Sequence, residues 1–262
     1  MASDTSYSPL QLALKRPLRC FFTALRFLTI FPTFSRPEDD ADYFPGALFY
    51  FPVVGLVVGA LGAGAATLLG AMVPALAAAA LFAIYLSLVS GFFHLDGLAD
   101  TADGFMGARQ PERSLEIMKD SRIGVMGASA LSSVLLLKTA AIYSLDSAEI
   151  AAALLIAPIA GRAAMVVFMP LLPAARVTHG LGTLFCSGSS RAAAWVSIIF
   201  FGLMALLAVP GKMVLIFVLC AALMIFFARL CLKKIGGITG DTLGCLCELV
   251  ETTVLFGVAL NF

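Results

Sequence analysis

Three aspartates stand at positions 96, 100 and 103 within His94-Leu95-Asp96-Gly97-Leu98-Ala99-Asp100-Thr101-Ala102-Asp103-Gly104. They arrive abruptly: from Tyr43 to Leu95, more than fifty residues pass without an Asp, Glu, Lys or Arg. At about 100° per residue, a helix places Asp96, Asp100 and Asp103 on one face, a turn apart. Three anions so close repel one another unless a proton or a cation intervenes. A hard divalent cation answers that need, and Mg²⁺ shares such carboxylates with substrate phosphates. The same aspartates could instead be solvated caps at a helix start. Asp241 and Glu248, seven apart, could form a second acidic face on a helix, with Asp241 a fourth candidate metal ligand. His94 precedes Asp96 by two residues. It could act as general base toward a hydroxyl nucleophile, or sit hydrogen-bonded to backbone.

Phosphoryl transfer asks for a metal, cations on the phosphates and an oriented nucleophile. Arg109, Lys119 and Arg122 follow the aspartates and could clamp phosphate oxygens, or only reflect charge bias between membrane faces. Lys138 and Arg162 lie inside apolar stretches, where an unpaired charge is costly. They could contact substrate phosphate, pair with carboxylates, or snorkel toward the interface. Gly237 and Gly240, with Gly236 and Gly244, could let backbone N–H groups approach an anion at a helix start, or serve as a hinge. Spacing alone points to a Mg²⁺-dependent membrane enzyme acting on a pyrophosphate.

The elements that must position these residues are membrane helices. The 262 residues are 61% hydrophobic and 13% charged, with mean hydropathy +1.00. The apolar runs are continuous, which excludes a transmembrane barrel. We expect an all-α, polytopic helical bundle with about seven spans and an N-terminal interfacial helix over Leu18–Phe34. The spans run over 44–71, 74–93, 125–145, 150–172, 192–209, 213–230 and a last helix to Phe262. Residues 1–17 read as a disordered tail and 18–262 as one membrane-embedded catalytic domain. Glycines 55, 59, 62 and 64 would allow close helix contact. The N-terminus and loops 94–124, 173–192 and 229–242 fall on one side and hold fourteen of the seventeen Lys and Arg, so that side is expected to be cytoplasmic. The six cysteines show no Cys-x-x-Cys pairing and read as small core residues. A net charge of +1 gives no hint of nucleic acid.

The stretch 93–104, followed by Leu115-Glu116-Ile117-Met118-Lys119-Asp120-Ser121-Arg122-Ile123-Gly124, resembles the signature of the cobalamin synthase family, adenosylcobinamide-GDP ribazoletransferase. Gly237-Ile238-Thr239-Gly240-Asp241-Thr242-Leu243-Gly244 with Glu248 and Glu251 resembles its second signature. Phe27-Leu28-Thr29 with Pro32, Phe51-Pro52-Val53-Val54-Gly55, Lys138, Arg162 and Gly180-Leu181-Gly182 also fit, so the likeness runs from about residue 20 to the end. The chain departs at Ile30-Phe31, where the family often has a basic residue before the proline. The resemblance implies attack by α-ribazole, or its 5′-phosphate, on the cobinamide-linked phosphorus of adenosylcobinamide-GDP. GMP leaves, and adenosylcobalamin or its phosphate forms. It further implies Mg²⁺ as cofactor, the lipid bilayer and other cobalamin-assembly enzymes as partners, and a site at the cytoplasmic face of the inner membrane. A homo-oligomer stays open.

The acidic pattern is also similar to that of CDP-alcohol phosphotransferases, although those usually carry Arg where Asp100 stands. That class, another Mg²⁺-dependent membrane transferase acting on a pyrophosphate, and a transporter using Lys138, Arg162 and the acids are the rival readings. A transporter predicts acids buried in mid-span and repeat symmetry between halves.

Overall fold

The structure, a computed structural model, describes residues 7–33, 40–69, 72–175 and 191–260. The Gly180-Leu181-Gly182 and Cys186 stretches lie outside them. Helix α1 (Pro9–Lys15) starts on a Ser8 capping box and buries Leu12 and Ala13. Helical order therefore begins inside the stretch expected to be a disordered tail, because a cap, Pro at N1 and two buried apolar side chains all favour it. Helix α2 (Pro17–Leu28) is amphipathic, burying Cys20, Thr23, Ala24, Leu25 and Leu28. It packs against α3 (Asp40–Ala47), where Asp40 accepts from Arg26 and Thr23. A 3₁₀ turn at Leu48–Tyr50 leads directly into α4 (Phe51–Leu69).

Helices α5 (Ala75–Leu88) and α6 (Phe93–Gly107) meet at 86°. The expected second span ends early, so α5 is about 21 Å long at 1.5 Å per residue, short of the roughly 30 Å hydrocarbon core. Gly91 and Phe92 both stand at φ +62, and this left-handed pair turns the chain. Glycine takes that conformation freely, whereas Phe92 takes it at a steric cost. The chain continues through α7 (Pro111–Ile117), α8 (Val125–Tyr143), α9 (Ser147–Phe168), α10 (Arg191–Ala208), α11 (Met213–Ile235) and α12 (Gly240–Ala259). Among the described residues six helices are long and apolar enough to cross a membrane, or seven if α5 and α6 form one bent span. The protein is a polytopic helical membrane protein.

Helix α9 is the central post, packed against α4, α10 and α12. The α4 glycines bring it close: a Cβ on Gly55 would lie 2.5 Å from the Pro158 carbonyl oxygen, and one on Gly59 would strike the Leu155 backbone. Gly64 meets nothing within 4 Å, so it takes no part in that contact. Cys20, Cys220, Cys231, Cys245 and Cys247 are buried, as expected of core residues.

The two ends of the bundle differ. At one end Lys212 bonds Glu149 at 2.9 Å and the Val258 carbonyl. At the other, Lys234 bonds the Phe105 and Ala108 carbonyls, and Ile238 exchanges backbone hydrogen bonds with Pro173 and Ala175. Among the described residues, the stretch bearing the aspartates of α6 meets the start of α12 at this second end.

A charge cluster is buried between the helices. Lys138 of α8 lies 2.7 Å from both Glu248 and Glu251 of α12, and Arg162 of α9 pairs with Glu251. Ser87 of α5 donates to Glu248 at 3.3 Å. Lys138 and Arg162 are completely buried. Two cations and two carboxylates cancel, which makes the burial tolerable in an apolar bundle. Lys138→Met should therefore lower stability by about 3–5 kcal/mol by stranding carboxylates. Adding Glu248→Gln to it should recover part of that loss, and thermal melts of the purified variants in detergent measure both.

Candidate functional site

Helix α6 owes its place to two glycines. A Cβ on Gly97 would lie 2.6 Å from the Asp241 carbonyl oxygen and 3.0 Å from its Cα, and one on Gly244 would lie 3.2 Å from the His94 Cα. The first turns of α6 and α12 therefore cross almost backbone to backbone. This brings the Asp241 main chain beside the helix that carries Asp96 and Asp100.

On the open side of α6 lies a cleft of about 420 Å³, lined by Phe92, Leu95, Asp96, Ala99, Asp100, Ser121, Ile123 and Leu131. Asp96 is exposed, and its carboxylate has no hydrogen-bond or ion-pair partner among the described residues. Asp100, one turn on, is half-buried. Two carboxylates thus face an open volume whose far wall is the segment 121–123.

The third aspartate does not join them. Asp103 accepts the Gly124 N–H at 2.7 Å on one oxygen and the Gly127 N–H at 2.8 Å on the other. Among the described residues no group of three His, Cys, Asp or Glu side chains is gathered to hold a metal ion. The expected four-aspartate cage of Asp96, Asp100, Asp103 and Asp241 is absent as a preformed set. Asp96 and Asp100 still suit Mg²⁺, which is commonly held by one or two carboxylates plus substrate phosphates.

Other expected site residues fall in different places. His94 is only 2% exposed, packed under Gly244, and does not line the cleft, so it is not positioned as a general base there. Lys138, Arg162 and Glu248 lie in the buried cluster, away from the surface of the protein. Glu248 consequently shares no acidic surface with Asp241. Gly237 is used by the fold, because a Cβ there would strike the Pro173 carbonyl beside the Ala174–Ile238 bridge. Gly240 opens α12, where Thr239 already accepts the Thr242 N–H, and the Thr239 hydroxyl also lies 3.3 Å from Asp241.

Arg109 and Lys119 are exposed, and their side chains have no ion-pair or hydrogen-bond partner among the described residues. Arg122 instead forks onto Asp120 at 2.6–3.2 Å. That guanidinium holds the Asp120 carboxyl down to about 2, so the pair stays ionised at any physiological pH. Sequence reasoning missed Ser121, Ile123, Phe92 and Leu131 as cleft walls, and Gly97 as the contact that sets the helix crossing. The apolar wall residues have no chemical signature, and Gly97 reads as one glycine among 23.

Fold and cleft together describe a polytopic helical membrane protein with two carboxylates in a cleft at one end of its bundle. The family profile for cobalamin-5-phosphate synthase matches residues 20–259, and the chain belongs to that family. An adenosylcobinamide-GDP ribazoletransferase of Desulforamulus reducens is 40% identical over 239 residues, covering 91% of this chain and 95% of that protein. Those of Syntrophobacter fumaroxidans and Stutzerimonas stutzeri are 38% and 40% identical, with 92% and 91% of this chain covered against 98% and 96% of theirs. No solved structure matches the chain.

The α6–α12 crossing gives a direct test. Gly97→Ala should cost about 1–3 kcal/mol through backbone overpacking. Gly64→Ala, which meets open space, should be neutral or slightly stabilising. Thermal melts of the two variants side by side compare them.

Proposed function

We propose that the chain joins α-ribazole, or its 5′-phosphate, to adenosylcobinamide-GDP, releasing GMP and forming adenosylcobalamin or its phosphate. The observation that carries the reading is the cleft bearing Asp96 and Asp100, in a chain matched from residue 20 to 259. Bound Mg²⁺ would neutralise the pyrophosphate and stabilise the GMP leaving group. Asp96 and Asp100 would hold it, and Asp241 stands nearby on α12. Arg109 and Lys119, exposed on the connection between α6 and α8, would draw the phosphates toward this end. The apolar walls Phe92, Leu95, Ile123 and Leu131 would limit water around the reacting phosphorus.

Purified protein in liposomes, given both substrates and Mg²⁺, should release GMP only when all three are present. Asp96→Asn and Asp100→Asn should each lower kcat by at least about a hundredfold, the scale of losing a group that stabilises transition-state charge. Full activity in both variants would move the chemistry away from the cleft. GMP release without the ribazole substrate would mark a hydrolase rather than a transferase.

The cleft end is proposed to face the cytoplasm, since most Lys and Arg lie there. A cysteine introduced at Ser121, which is exposed, should react with a membrane-impermeant maleimide in inverted vesicles and resist it in intact spheroplasts. The reverse pattern would refute that orientation.

A further inference from the structure

Asp103 lies in the acidic motif, yet both its carboxylate oxygens accept from backbone N–H groups. Both oxygens are engaged at the start of α8, on the N–H of Gly124, which is the N-cap, and of Gly127 at the third helical position. Gly124 has no side chain with which to cap its own helix, and α8 has no side-chain cap of its own. The first N–H groups of any helix lack intrahelical partners, and the helix N-terminus favours an anion. A side chain 21 residues earlier in the chain thus supplies the missing cap.

The two glycines are shaped for it. A Cβ at either position would collide with the Asp103 carboxylate, and one at Gly127 would also lie 3.0 Å from the Ala99 carbonyl oxygen. Asp103 therefore pins the first turn of α8 flat onto α6. The segment just before that turn, Ser121 to Ile123, is the cleft wall opposite Asp96 and Asp100.

We propose that Asp103 is a positioning residue, a cap supplied to α8 from α6 that fixes the 121–123 wall, and is not a ligand of the metal. The loop-fixing part stands on geometry alone; the metal part rests on the transferase reading above. Two readouts keep them separate. The first needs no substrate: trypsin cutting after Arg122, whose side chain is 87% exposed in an otherwise pinned segment, followed by mass spectrometry. Loss of charge-assisted hydrogen bonds in Asp103→Ala should speed that cut by about tenfold or more. Gly127→Ala should do the same with Asp103 in place, and combining the two should add little, because both undo one contact. Asp103→Asn, which keeps one acceptor oxygen, should fall between.

The second readout is GMP release against Mg²⁺ concentration. Asp103→Asn should lower kcat while leaving the Mg²⁺ concentration for half-maximal activity unchanged. An unchanged cutting rate in both Asp103→Ala and Gly127→Ala would overturn the proposal. A rise of about tenfold in the Mg²⁺ requirement of Asp103→Asn, the scale seen on disturbing groups at metal sites, would also overturn it and return Asp103 to the ligands. If no transferase activity is found, the cutting rates alone decide the capping role.

Discussion

The buried cluster of Lys138, Arg162, Glu248 and Glu251 is the constraint on which the rest depends. Each charge alone would be intolerable in an apolar bundle, so the helices that carry them can pack in few other registers. Glu248 and Glu251 lie one turn apart on α12, and Asp241 lies seven residues, about 10 Å of helix, above Glu248. Fixing the carboxylates against α8 and α9 therefore fixes the height of the α12 N-terminus. Its backbone at Asp241 then meets Gly97, and that contact places α6 with its two cleft-lining carboxylates. Position is transmitted from the middle of the bundle to its polar end through one rigid helix.

The sequence shows the helices plainly, because runs of some twenty apolar residues have few other solutions. It shows less well where a run breaks. The second apolar stretch reads as one span, yet the left-handed pair Gly91 and Phe92 folds it through 86°. Gly91 hints at a turn, but nothing local announces that a phenylalanine will share its conformation. Lys138 and Arg162 allowed two readings on sequence, and tertiary pairing settles them, since their partners lie 110 and 89 residues away. The acidic motif was legible as a group on one helix face. That its third member serves another helix was not, because Gly124 and Gly127 are ordinary glycines until the helix they begin is seen docked.

Charge is used in two distinct ways at the two depths. In the bundle, carboxylates and cations are matched in number and buried, and they contribute specificity of packing. At the polar end, Asp96, Arg109 and Lys119 have no partners among the described residues, whereas Arg122 and Lys234 are already satisfied by Asp120 and by α6 carbonyls. A group left unpaired in water costs little, and it keeps its full capacity for a ligand. Paired groups have spent that capacity on the fold.

The same division explains why the glycines matter more than their number suggests. In the proposed function the two carboxylates must be fixed to fractions of an ångström, on elements that do not relax. Side-chain packing between two helices leaves some slack, because rotamers can adjust. Backbone laid on backbone, as at Gly97 over Asp241 and Gly244 over His94, leaves very little. The acidic pair is thus carried by the stiffest kind of helix contact available, while the opposite wall hangs on hydrogen bonds to one carboxylate. One side of the cleft is set by sterics, and the other by an interaction that can open.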